Sequence, residues 1–347
     1  VNFLLTYPTN NQTYASSKIM VYCDGSTKAK NTWANFQGVI YMPGRPEQQT
    51  MSIPHELFHL IQNYYANRST LDVWVTESTA TATGAEGYNQ IFTSDTYKYD
   101  IPYNRQVIWD GARQFTYSFD DANDNRQYKN GVIWSYFLIK YKDSTFKNLI
   151  SAIFSDSNNY SWMKNGRKKV TLQQTDQHFR TITGTSLSSA YFEAFEDFYI
   201  YGQVYNKKYF VNLPKREEGQ PYTVDASNTG LSYYYPFKSD FKFDKNINIT
   251  YMSGNYYYFA ADGNEGNLYI TINPGIKENF KVKICSFKKD NGLFELSDAR
   301  EYENQDITDM VFPFEDKVSV IAVFLENQSC NLNNNLYIKV YGKKRSK

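Results

Sequence analysis

The chain has 347 residues, room for two domains or one large one, and carries 37 Lys+Arg against 36 Asp+Glu. A net charge of +1 leaves no basic footprint for nucleic acid and no acidic face for a cationic partner. No apolar run is long enough to span a bilayer, so no transmembrane segment is expected.

The chain begins at Val1 without a signal-peptide pattern, which fits a processed or trimmed chain. Its first 45 residues read as strands. Val1–Tyr7, Lys18–Cys23 and Gln37–Met42 are short β-branched or aromatic runs between polar turns.

A different signal follows at Pro54-His55-Glu56-Leu57-Phe58-His59-Leu60-Ile61-Gln62. His55 and His59 stand at i and i+4, so a helix sends both imidazoles out of one face, where they can hold one metal ion. Glu56 is rotated off that pair but stays within reach of a water at the metal, the position of a general base. Leu57, Phe58, Leu60 and Ile61 give the helix an apolar surface. Pro54 sits near its start, where a missing N–H is tolerated.

A catalytic zinc takes three protein ligands and keeps one position open. Trp74-Val75-Thr76-Glu77-Ser78-Thr79-Ala80 is the best source of the third, with Glu77 standing 18 residues after His59. That interval accommodates a turn around Asn67–Thr70 and a second helix. Thr70 or Asp72 can cap that helix, and its Ala/Thr-rich run from Leu71 to Tyr88 favours close approach of helices.

Further on, Asp120-Asp121-Ala122-Asn123-Asp124-Asn125 alternates oxygen ligands and can attract Ca2+. It lacks the glycine and distal glutamate of an EF-hand and reads better as a solvated turn. Gly131–Tyr141 and Ser144–Phe154 carry apolar residues at helical spacing, and Leu187–Tyr199 is a strong amphipathic helix. His178 falls in the polar stretch Gln173–Arg180.

Composition shifts around 212–224, where Leu213-Pro214-Lys215-Arg216-Glu217-Glu218-Gly219-Gln220-Pro221 reads as a linker. Beyond it the pattern is β throughout. Tyr256–Ala260 and Asn267–Ile272 flank a Gly-rich hairpin signature, and Phe280–Phe287, Val318–Phe324 and Leu336–Tyr341 are further strands. The expectation for 225–347 is a β-sandwich, jelly-roll-like, that binds a glycan or cell surface or serves as a spacer. Cys23, Cys285 and Cys330 have no metal-type spacing. Cys285 and Cys330 can pair, or all three can remain thiols.

His55-Glu56-x-x-His59 followed by Trp74-x-x-Glu77-Ser78-x-Ala80 resembles the gluzincin group of zinc metallopeptidases, in its secreted or surface bacterial forms. The resemblance implies one catalytic Zn2+ held by His55, His59 and Glu77, Glu56 as general base, and a protein or peptide substrate. It implies an α+β fold: a zincin-like metallopeptidase domain over 1–211, built of a sheet, the active-site helix and then a helical lobe. It also makes Gly38, Val39, Ile40 and Tyr41 a sheet edge on which substrate adds as a strand. The lobe would supply an oxyanion donor, Tyr128 first and His178 second. Many gluzincins place an Asp four residues after the ligand Glu to orient a histidine. Here that position is Thr81, so the hydroxyl, a backbone carbonyl or another carboxylate takes the task. The reading of another class is a surface adhesin in which the β-sandwich carries the function and the zinc domain is a scaffold.

Overall fold

The structure, a computed structural model, describes residues 20–23, 33–34, 39–42, 52–65, 73–91, 117–121, 128, 130–158, 171–196, 203–204, 207–208, 233–236, 242–261, 265–290, 293–315 and 318–344. The chain forms two compact units, Val1–Ile108 with Asp120–Leu187, and Trp109–Phe119 with Ser188–Lys347.

In the first unit, β1 (Met20–Cys23), β2 (Trp33–Ala34) and β3 (Val39–Met42) make a sheet of order β1-β3-β2. β1 runs parallel to β3 from Met20↔Val39 to Cys23↔Met42, and β2 pairs antiparallel through Trp33↔Tyr41 and Ala34↔Ile40. β3 is therefore the central strand. Of the expected substrate-binding edge, Ile40 and Tyr41 are paired on both flanks, so they do not form an open edge, whereas Val39 pairs with β1 alone. Gly38, Val1–Tyr7 and the linker 212–224 lie outside the described residues.

Four helices complete this unit: α1 (Ser52–Tyr65), α2 (Val73–Ile91), α3 (Gly131–Asn158) and α4 (Leu172–Thr183). The two apolar stretches read at helical spacing between 131 and 154 lie in one 28-residue helix. Its Trp134 centres a ring cluster, 5.5 Å from Phe137 and between 6.4 and 6.5 Å from Trp74, Phe146 and Phe179. Phe58 of α1 joins it by way of Phe154.

α2 is buried around Trp74, Val75, Ala80 and Ala82, and so are its hydroxyls. Thr79 Oγ1 donates to Val75 O at 2.7 Å and Thr83 Oγ1 to Thr79 O at 2.8 Å, so these groups spend their protons inside the helix. α4 starts on a capping box at Thr171 and Gln174 and stops at Gly184, whose φ of 74° suits a residue without Cβ.

The second unit holds α5 (Leu187–Phe195), apart from its first residue, and two small strands, β4 (Gln203–Val204) and β5 (Lys207–Lys208). Its body is two sheets. One runs β11 (Leu293–Glu303), β10 (Phe280–Asp290), β13 (Val318–Asn327), β8 (Ser253–Ala260), β6 (Tyr233–Pro236). The other runs β12 (Ile307–Phe314), β9 (Gly266–Pro274), β14 (Asn334–Lys344), β7 (Lys242–Ile249). Alternate residues of both sheets make one core that includes Phe259, Ile270, Ile284, Phe312, Val323 and Ile338. Every pairing in these two sheets is antiparallel except β6 with β8.

Two expectations change. β8 and β9 do not form the hairpin that their Gly-rich connection suggests. β8 pairs with β13 and β9 with β14, so the chain crosses between sheets. The larger change is in fold class. The α+β zincin-like fold with a helical lobe is overturned, because the described residues are mostly antiparallel sheet with a few helices and show no such lobe. The amphipathic helix expected to extend that lobe packs on sheet instead. Phe195 stacks on Tyr256 with ring centroids 4.3 Å apart and meets Phe324 at 5.5 Å. β8 is consequently buried on both faces, with Tyr257 and Phe259 in the core and Tyr256 under α5. Among the described residues, no helix is long and apolar enough to cross a membrane.

Candidate metal centre

α1 and α2 bring three sequence-distant donors to one place. His55 Nε2 and His59 Nε2 lie 3.1 Å apart, and Glu77 Oε2 lies 3.4 Å from the first and 3.2 Å from the second. The rings meet edge to face, at 89°. Zinc bonds of about 2.0–2.1 Å at tetrahedral angles set ligand atoms roughly 3.3 Å apart. The observed triangle has that size, and two imidazole nitrogens with one carboxylate oxygen are a known catalytic donor set. The residues present fit zinc.

The electrostatics agree with the geometry. Burial pushes the Glu77 carboxyl pKa up, but hydrogen bonds and charge from His55 and His59 outweigh it and hold the group well below the usual carboxylate range. Glu77 is thus anionic in the state a cation would meet. His59 is almost fully enclosed, whereas His55 and Glu77 keep 16% and 14% exposure, which leaves the centre open on one side.

Glu56 follows His55 in the same turn and is buried, at 7% exposure. It is not one of the converging donors. Tyr128 comes beside the triad, with its ring centroid 6.3 Å from that of His55 and the planes tilted by 32°. A close approach of backbones accompanies it. A Cβ on Gly131 would fall 2.5 Å from Thr81 Cγ2, so only glycine lets the start of α3 sit against α2 here. Thr81, the position without an Asp, is occupied in this packing.

His178 is engaged elsewhere in the unit. Its Nε2 lies 2.6 Å from Asp156 Oδ2, and this contact occupies that ring nitrogen. Of the turn at Asp120–Asn125, only Asp120 and Asp121 belong to the described residues, and neither joins a metal-competent group. Cys285 and Cys330 share no disulfide, and burial pushes the Cys285 thiol up to about 12.

One participant escapes a motif reading. Gln62 is fully buried and three residues beyond His59, hence on the same helix face. Its Oε1 lies 2.7 Å from His59 Nδ1, and its Nε2 donates to Thr76 O at 2.8 Å and to Thr79 Oγ1 at 2.9 Å. The i+3 spacing of a polar residue after the second histidine was the available signal.

No protein-family model matches the chain, and no curated protein matches it. Among solved structures, the chain is similar to PliG of Aeromonas hydrophila, a periplasmic lysozyme inhibitor of g-type lysozyme. The identity is 11% and the TM-score 0.22, covering 32% of this chain and 97% of that one.

Proposed function

We propose that the chain is a zinc-dependent endopeptidase, in which metal-activated water hydrolyses peptide bonds within a protein or peptide substrate. The observation that carries this reading is the triangle of His55, His59 and Glu77 donor atoms with its 3.1–3.4 Å sides. The setting proposed with it is extracellular or at the cell surface, in line with the resemblance of the two motifs to secreted enzymes.

His55, His59 and Glu77 would hold the zinc. When bound, zinc supplies Lewis acidity toward a carbonyl and toward water. The chain's own residues do the rest. Glu56 accepts the proton of the attacking water and returns it to the leaving amine, a role that suits a buried carboxylate on the ligand helix next to His55. Tyr128, next to His55, offers its hydroxyl to the negative charge that develops on the carbonyl oxygen. The enclosure of His59 keeps bulk water from competing on the inner side.

The test pairs elemental analysis with cleavage of a quenched peptide library. Wild type is expected to hold one zinc per chain and Glu77→Ala to lose it. Glu56→Gln should keep the zinc and lose cleavage by roughly 10²–10⁴-fold. Wild type purified without chelators and found free of zinc would end the reading.

A further inference from the structure

We infer that Gln62 is a positioning residue that sets the tautomer of His59, so that its Nε2 lone pair points at the metal site. The inference rests on the metal-centre reading above and extends it to what orients a ligand. A zinc-ligating histidine has to present a bare nitrogen, and the hydrogen bond at its other nitrogen decides which one is bare.

The orientation of an amide is ordinarily ambiguous, because O and N look alike. Here the surroundings decide it. Thr76 O is a carbonyl and only accepts, so the group 2.8 Å away must be the NH2. Thr79 Oγ1 points the same way. Its one proton goes to Val75 O at 2.7 Å, which leaves the oxygen to accept from Gln62 at 2.9 Å. Both protons of the Gln62 amide are thereby committed to α2. A flipped amide would set two acceptors against each other at hydrogen-bond distance from Thr76 O, a desolvated polar mismatch.

The carbonyl of Gln62 must then face His59, 2.7 Å from Nδ1. An oxygen there accepts, so Nδ1 carries a proton, and in the neutral ring, the form that ligates a metal, Nε2 is then the lone-pair nitrogen. That nitrogen is the one 3.2 Å from Glu77 Oε2 and 3.1 Å from His55 Nε2. The chain Val75 O, Thr79 hydroxyl, Gln62 amide, His59 imidazole has a single direction of donation. α2 provides both the anionic ligand Glu77 and the acceptors that fix a ligand on α1. This amide does the work that an Asp at position 81 would otherwise do.

The chain has three histidines, His55, His59 and His178, so selective 15N-histidine labelling gives three resolvable rings. In metal-free wild type, at a pH above the ordinary imidazole range, long-range proton–nitrogen spectra are expected to show His59 with Nδ1 protonated. Gln62→Leu should release it to a mixture of tautomers. The same variant should weaken zinc binding roughly 10–100-fold in competition with a chromophoric chelator. Thr79→Ser keeps the hydroxyl and should behave as wild type in both measurements. His59 protonated on Nε2 in the metal-free wild type would overturn the inference, and this measurement needs no variant to fold. Gln62→Leu with unchanged tautomer and unchanged zinc affinity would overturn it as well. A wild type that binds no zinc yet carries its proton on Nδ1 of His59 removes the metal centre and leaves the tautomer assignment standing.

Discussion

Each unit holds a polar cluster, and the two are built on opposite plans. In the second unit, Lys283 Nζ lies 2.7 Å from Glu196 and 2.8 Å from Glu301, and Lys281 Nζ lies 3.2 Å from each. Cations and anions alternate around a closed ring, and the ring ties the end of α5 to β10 and β11. In the first unit, two imidazoles and a carboxylate bring one ligand atom each to within 4.8 Å of one another. The first arrangement satisfies itself. The second offers three donor atoms that could hold a cation. The lesson is that burial and charge do not by themselves mark a site. What distinguishes the two is whether the ligand atoms pair with opposite charges or converge on one point.

Breaking either cluster should give a different signature. The largest effect is expected from Glu326, which lies fully buried on β13 near the lysine ring. Burial raises its carboxyl to about 8, although Lys281 and Lys283 pull the other way. The unfolded chain ionises this group near 4.5 and the folded chain only near 8. Between those values the unfolded state holds fewer protons, so the stability this group contributes is whole below 4.5 and falls as pH rises. Glu326→Gln should abolish that dependence. Its advantage over wild type should grow to at most about 5 kcal/mol above pH 8, read as the difference between thermal melts across the range. Equal pH profiles for the two proteins would refute it.

Lys283→Met comes next. It leaves Glu196 and Glu301 facing each other with half their cationic partners, and a cost of about 3–5 kcal/mol is expected in denaturant titration. Zinc content should not change, because this ring belongs to the other unit. The converse test concerns the metal. At a free zinc concentration about a hundredfold above Kd, binding should stabilise wild type by roughly 2.7 kcal/mol, and Glu77→Ala should show no such shift. The smallest effect is at the helix contact. Gly131→Ala should cost about 1–3 kcal/mol through its clash with Thr81 Cγ2 at 2.5 Å and Cβ at 2.7 Å, and Thr81→Gly in the same chain, which removes both atoms, should cost less than the two single losses added together. Additive losses in the double variant would mean that the two residues do not share the space.

Much of the donor cluster was legible because its geometry is local. The i, i+4 spacing of His55 and His59 is fixed by the helix itself, and only Glu77 required a guess about where a second helix returns. The strands at Phe280–Phe287, Val318–Phe324 and Leu336–Tyr341 were legible for the same reason, since alternation is a property of the strand. The failures are all matters of partnership. β3 reads as a strand, but its central place depends on β2, a two-residue strand that leaves almost no trace in sequence. The Gly-rich turn after β8 says that the chain reverses, not that it changes sheets. The apolar stripe of α5 says that something covers it, and that turned out to be Tyr256 and Phe324 on a sheet. Gln62 needed Thr76 O, fourteen residues on, before its amide had a direction.

The contact between Gly131 and Thr81 has a consequence for descent. The two positions share one small volume, set by how near α3 lies to α2. Homologous chains can divide that volume differently but cannot enlarge it without moving the start of α3 away from α2. A lineage that acquires a bulkier residue at 81 should therefore keep glycine at 131. One that acquires a side chain at 131 should show a smaller residue at 81, and the pair should drift together while the residues around it vary.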